Sequence, residues 1–380
     1  MMSDRLHSCL KHSIRRSLYL ILRVVLFMLL LILLISNAGL SGREQVKAQE
    51  EQAYYEALQR FGIAAPYDYT VDQLNYFNVG AVLDWRMDNP INLPENIDYI
   101  HVVRLRDAEY PTIIGRLSTA VPANPGEVWI IGNEPDRSTF QDDLIPTEYA
   151  ARYYEVANYI RSLDPEAKLG FGSIVQPTPI RLCYLNRTLE ALDDLSGNRA
   201  DSLRLIDIWS IHAFILNETS GWGADIPVGI NLSECEGNPQ PLVITDLSET
   251  HSISKFQELI VSFREWLALK GEQDKPVWIT EYGSLMPITV GVSEQDTSSY
   301  MLATFDFLLN AKDANIGMPA DNGFLVQRWF WYSLNGNLLD FGGSLLDPDE
   351  ELNVTLVGQN FKQYTDLLRR YPLYFPLVIR

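Results

Sequence analysis

Two glutamates in this sequence stand in matching settings. The first follows the apolar run of "EVWIIGNEPD", Glu127 to Asp136, where Val128, Trp129, Ile130, Ile131 and Gly132 lead into Asn133, Glu134 and Pro135. The second closes "KPVWITEYGS", Lys275 to Ser284, where Val-Trp-Ile again precedes a carboxylate, Glu281. One acid at a strand end is ordinarily a surface or salt-bridged residue, and a lone "NEP" says little. Two on similar strands suggest a shared task. Carboxyls facing one cleft can divide labour: one stays protonated and serves as an acid, while its neighbour is ionised and serves as a nucleophile or base. For acetal chemistry at a sugar, a separation of about 5–5.5 Å goes with retention of configuration.

Residues so far apart in sequence share a cleft only if their strands end on the same side. Strand-like runs fall near 77–84, 99–105, 127–132, 167–173, 206–213, 276–281 and 326–333. Several are almost continuously apolar, as in a parallel sheet covered on both faces. Amphipathic helical stretches lie between them. Pro146 can open one, with Tyr149, Tyr153, Val156, Ala157 and Ile160 at helical spacing. Another has Ser254 to Gln257 as a capping box and Gly271 as its stop. Further helices fall near 297–312 and 357–370. Alternating strand and helix predicts a parallel α/β fold, either a (β/α)8 TIM barrel or a doubly wound sheet. No GxGxxG or Walker loop follows a strand, and "GFGS" (Gly170 to Ser173) lacks the third glycine, so the nucleotide-binding alternative is disfavoured. Seven runs are visible where a barrel needs eight. One catalytic domain over 61–380 is the simplest division.

"GNEP" followed far downstream by "WITEYG" resembles the signatures of glycoside hydrolase clan A, the retaining (β/α)8-barrel glycosidases. The resemblance implies that Glu134 is the acid/base after strand four and Glu281 the nucleophile after strand seven. It implies that Asn133 meets the sugar's 2-hydroxyl and that His212, in "IWSIHAF", stands at strand six near nucleophile or substrate. It also implies an aromatic sugar platform at strand eight. Trp331 is the expected one, and Trp329 shares its face. Tyr282, beside Glu281, is a further expected substrate contact, and Trp85, just past the first visible strand, a second platform. Trp222 is a candidate for a distal subsite, while Trp129 and Trp278 read as core. The match spans about 75–365, but only Asn133-Glu134-Pro135 and Thr280-Glu281-Tyr282-Gly283 are sharp. The missing strand then lies in 60–75 or 108–121. His212-Ala213-Phe214 departs from the usual His-x-Tyr, and the arginine often found near strand two could be Arg104 or Arg106. The implied substrate is a β-linked polysaccharide or oligosaccharide, with a layout somewhat like β-1,3-glucanases, and no cofactor is required. A non-catalytic carbohydrate-binding barrel is the alternative; both carboxylates being intact weighs against it.

Bulk properties set the surroundings. The chain of 380 residues has a net charge of −19, and phosphate backbones would repel it, which excludes nucleic acid as a natural partner. Residues 1–40 read as a signal peptide or signal anchor. Basic residues between Arg5 and Arg16 precede the apolar run Leu18 to Ile35, long enough to span a bilayer, and "SNA" (Ser36 to Ala38) offers a cleavage site. Residues 41–60 read as a polar linker, so the domain beyond is expected to be extracytoplasmic, secreted or anchored to the membrane by one helix. In such a compartment Cys183 and Cys235, both in loop-like sequence, could pair or remain two thiols. No Cys/His spacing resembles a zinc site and no HExxH occurs, so no metal is expected.

Overall fold

The computed structural model describes residues 57–139, 141–219, 222–337, 341–347 and 353–370. The leader expected at 1–40 and all but the last residues of the linker expected at 41–60 lie outside them. Leu58 is already buried and Arg60 pairs with Asp321, so the chain is fastened to the domain from there on. Among the described residues, no helix is long and apolar enough to cross a membrane.

Eight parallel strands close a barrel in chain order: β1 (Phe61–Ala64), β2 (Ala81–Leu83), β3 (Asp98–Val103), β4 (Val128–Ile131), β5 (Lys168–Ile174), β6 (Ile208–His212), β7 (Val277–Gly283) and β8 (Arg328–Tyr332). Closure is made by β8 on β1, with Phe61 opposite Trp329 and Ala64 opposite Tyr332. This excludes the doubly wound sheet. The strand missing from the sequence pattern is β1, in the 60–75 window. Its four residues, FGIA, are all buried and too few to show a period. Trp85 therefore follows β2 rather than β1.

The helices between strands are α1 (Val71–Phe77), α2 (Tyr110–Ala123), α3 (Pro146–Leu163), α4 (Pro179–Ser196), α5 (Arg199–Arg204), α6 (Ile253–Leu269), α7 (Glu294–Asn310) and α8 (Leu356–Arg370). In α3, Pro146 sits at the start and Tyr149, Tyr153, Val156 and Ile160 form the buried stripe. The cap of α6 is Ser252, whose side chain accepts from Lys255 N, not the Ser254 box expected from sequence. Ser252 has the extended backbone that a cap needs, whereas Ser254 is already helical. A short antiparallel ribbon joins β9 (Leu346–Asp347) to β10 (Asn353–Val354).

Strand alternation divides the apolar residues. Ala64, Leu83, Ile100, Val102, Ile130 and Phe330 pack together inside the barrel, with Trp278 against them. Gly62 makes room for Phe330, because a Cβ there would lie 2.3 Å from its ring. The other face meets the helices, as where Trp209 packs edge-on against Trp266 and Phe61 against Phe305. Each such large side chain, fully buried, stabilises the fold by about 1.5–3 kcal/mol. Trp129 is core as expected, stacked on His101 at 4.1 Å.

Candidate active site

The strand ends open on a cleft of about 290 Å³, whose lining includes Trp85, Arg104, Glu134, Arg137, Gln141, Phe214, Glu281 and Tyr332. A larger cavity of about 730 Å³ lies between the 245–253 segment and α7, and neither carboxylate lines it.

Backbone geometry delivers Glu134. The run of β4 ends at Gly132, whose φ of +95° favours glycine and whose Cβ, if present, would lie 2.9 Å from the Tyr149 ring. Tyr149 holds this close approach: its hydroxyl donates to Ile131 O and accepts from Gly172 N. Glu134 itself has φ +43°, a left-handed conformation that costs free energy in a non-glycine residue and clusters at functional sites. Its amide donates to Ser173 O on β5 at 2.9 Å. Glu281 is delivered by an irregularity. Pairing of β7 with β8 shifts between Ile279 and Tyr282, and that of β6 with β7 shifts after Ile211, so that His212 stands opposite Glu281. The shift re-aims side chains, as bulges near active sites do. Glu281 faces the cleft, and Tyr282 packs outward against Phe256 and Trp331.

The carboxylates and the imidazole between them form one cluster. His212 Nδ1 lies 3.0 Å from Glu134 Oε1, and Nε2 lies 3.3 Å from Glu281 Oε1. One carboxylate oxygen of each glutamate and one ring nitrogen all lie within 4.8 Å of one another. All three residues are buried. Trp85 Nε1 donates to Glu281 Oε1 at 2.6 Å and to Asn133 Oδ1 at 3.0 Å, and Arg137 Nη1 reaches Glu134 Oε2 at 3.2 Å. The two acids titrate apart. Burial pushes Glu281 up to about 7, and the nearby Glu134 charge adds to this against the pull of His212. Burial also acts upward on Glu134, but its bonds to His212 and Arg137 outweigh that and hold it below the usual range. Of the two carboxyls, Glu281 is therefore the more readily protonated. Those three residues are also the described group of acidic and histidine side chains close enough to share a cation. His212 Nδ1 is hydrogen-bonded to Glu134, whereas its buried Nε2 lies near Glu281 without making a hydrogen bond.

Five of the residues expected from sequence thus meet: Glu134, Glu281, His212, Asn133 and Trp85. Two do not reach the cleft. Trp331 is fully buried on the helix-facing side of β8, with Nε1 donating to Gly343 O and its ring edge-on to Tyr282. Alternation along β8 puts Phe330 and Tyr332 on the barrel side and so Trp329 and Trp331 on the helix side. The aromatic that β8 presents to the cleft is Tyr332, at edge-to-face angles to Trp85 and Phe214. Phe214, at the position where the resemblance implies tyrosine, also lines the cleft. Of the two arginines, Arg104 is the one that lines it, with Nε bonded to Asp142, whereas Arg106 pairs with Glu109.

The supporting residues escape sequence reading. Asp142 accepts from Arg104 Nε, Leu105 N and Asn133 N, and so fixes both Arg104 and Asn133. Asp84 accepts from the hydroxyls of Tyr69 and Tyr99 and from Arg86, which anchors the residue before Trp85. Asp136, Arg181 and Glu218 form a fully buried ion triad behind Glu134. Only Asp136 and Asp142 carry a hint, in lying on the segment after "GNEP". The disulfide between Cys183 and Cys235 is present, and Cys183 lies in α4 rather than in a loop.

No protein-family model matches the chain, and no curated protein sequence does. Solved structures match in fold. A GH128 (subgroup II) endo-β-1,3-glucanase from Pseudomonas viridiflava is 16% identical with a TM-score of 0.51, over 80% of this chain and 96% of that one. A GH128 (subgroup VII) oligosaccharide-binding protein from Trichoderma gamsii is 10% identical with a TM-score of 0.52, over 82% and 95%. A monomeric β-xylosidase from Caulobacter crescentus is 11% identical with a TM-score of 0.51, over 80% and 67%. The chain shares the (β/α)8 barrel of these proteins.

Proposed function

We propose that the chain is an exported retaining glycoside hydrolase that cleaves β-linked glucan, with Glu281 as nucleophile and Glu134 as acid/base. The observation that carries this reading is the pair of buried carboxylates, with oxygens within 4.8 Å, at the mouth of the barrel. That spacing suits a double displacement and leaves too little room for a water on the far face of the sugar. Glu281 attacks the anomeric carbon as Glu134 gives its proton to the leaving oxygen. In the second step Glu134 takes a proton from water, which displaces Glu281 with a second inversion.

This cycle needs the proton on Glu134, whereas burial and neighbouring charge favour it on Glu281. His212 offers the route between them. Glu281 passes its proton to Nε2 while Nδ1 releases its own to Glu134, leaving a neutral imidazole of the other tautomer. Trp85 Nε1–H then remains bonded to the ionised Glu281. Arg104 adds a cation on the same side, and its charge favours the ionised nucleophile.

The choice of β-1,3-glucan follows the sequence layout and the likeness to the Pseudomonas viridiflava glucanase. Export follows residues 1–40, whose apolar run would lead the barrel out of the cytoplasm and leave it secreted or anchored. The deciding experiment is turnover of laminari-oligosaccharides by Glu281→Gln. Loss of at least a thousandfold in kcat with glycan binding kept is the expected result; unchanged turnover would sink the mechanism.

A further inference from the structure

Behind Glu134 lies a charged group that touches no part of the cleft. Arg181, in the first turn of α4, is fully buried. Its Nη1 donates to Asp136, two residues beyond Glu134, and its Nε to Glu218 Oε1 at 2.9 Å. Its Nη2 donates to the carbonyls of Ala224 and Asp225 at 2.7 and 2.6 Å. One side chain thus ties together the segment after β4 and two stretches of the long segment after β6. The segment after β5 joins as well: Thr178 donates to Glu218, and Val175 N donates to Asp136. Arg137, which holds Glu134, itself donates to Gly223 O in the same anchored stretch.

A planar guanidinium can make these bonds together in fixed directions; an ammonium cannot. The arrangement is costly to maintain, because three buried charges are desolvated. Glu134 meanwhile holds a left-handed backbone that its neighbours must impose. We infer that Arg181 is a positioning residue for the acid/base: by clamping Asp136 to the anchored segment after β6, it fixes the turn that aims the Glu134 carboxyl at the leaving oxygen. This rests on the glycosidase reading of the same site.

The test compares two aryl β-glycosides of a laminari-oligosaccharide, one with a nitrated phenol as leaving group that departs unaided and one with a poor leaving group that needs protonation. Two variants are used, Arg181→Lys and the charge-neutral Arg181→Met/Asp136→Asn/Glu218→Gln. The second avoids stranding buried carboxylates, and thermal melts select a temperature at which each is folded. The clamp predicts that kcat falls at least tenfold more on the poor leaving group than on the nitrated one, with KM on the latter nearly kept. Equal losses on both substrates would overturn it and leave Arg181 a purely structural residue; so would no loss on either. No turnover of either substrate by the unaltered protein would instead overturn the glycosidase reading, and the clamp with it.

Discussion

The two glutamates are chemically alike and made different by what surrounds them. Glu281 has burial and a like charge against it, whereas Glu134 has an imidazole and a guanidinium in its favour. Such coupled groups titrate as a pair. Above about pH 7 the pair loses its last proton and no acid remains, so kcat/KM is expected to fall as pH rises through 7. On the acid side it falls as Glu134 takes up the second proton. The sign for stability follows from the same shift. A carboxyl whose folded pKa is raised stabilises the fold below its unfolded value and loses that contribution as pH rises through about 7. Glu281→Gln should therefore raise Tm more at pH 8 than at pH 5. A pH–rate profile and paired thermal melts measure both; a gain confined to pH 5 would contradict the assignment.

Elements decide which side chains the cleft receives. The shift in β7 turns Glu281 inward and Tyr282 outward, where it meets Trp331, which regular alternation along β8 already holds on the helix side. Trp85→Phe removes an N–H bonded to both Glu281 and Asn133, and kcat should drop about ten- to a hundredfold with little change in Tm. Trp331→Phe removes buried volume and a bond to Gly343 O, and should lower Tm while kcat stays within about threefold. Kinetics and melts on the two variants separate these roles; the reverse pattern would return Trp331 to the site. The segment after β6 is held twice by α4, through Arg181 and through the disulfide, which joins residues 52 apart. Cys183→Ser/Cys235→Ser should cost about 2–4 kcal/mol in denaturant unfolding, with turnover largely kept because Glu218 remains bound.

At the scale of the molecule, the barrel converts distance in sequence into adjacency. The grammar of two strands ending in carboxylates was legible before any coordinates, because buried strands leave near-continuous apolar runs. The acids followed from it; Asn133 and His212 came with the resemblance to clan A glycosidases, and Trp85 from its place just past a strand. The four-residue β1 was not legible, since so short a run carries no period. Nor was the exchange of Trp331 for Tyr332: alternation along β8 puts Trp329 and Trp331 on one face and Phe330 and Tyr332 on the other, but in so uniformly aromatic a strand it does not say which face looks inward. Arg181, Asp84 and Asp142 act through loops brought together only by closure. What the closed barrel finally sets is the separation of Glu134 and Glu281, and that separation governs stereochemistry. Proton NMR of laminari-oligosaccharide cleavage reads it directly, in the anomeric configuration of the first product. Retention predicts that the β-anomer appears first and then mutarotates; first release of the α-anomer would contradict the account.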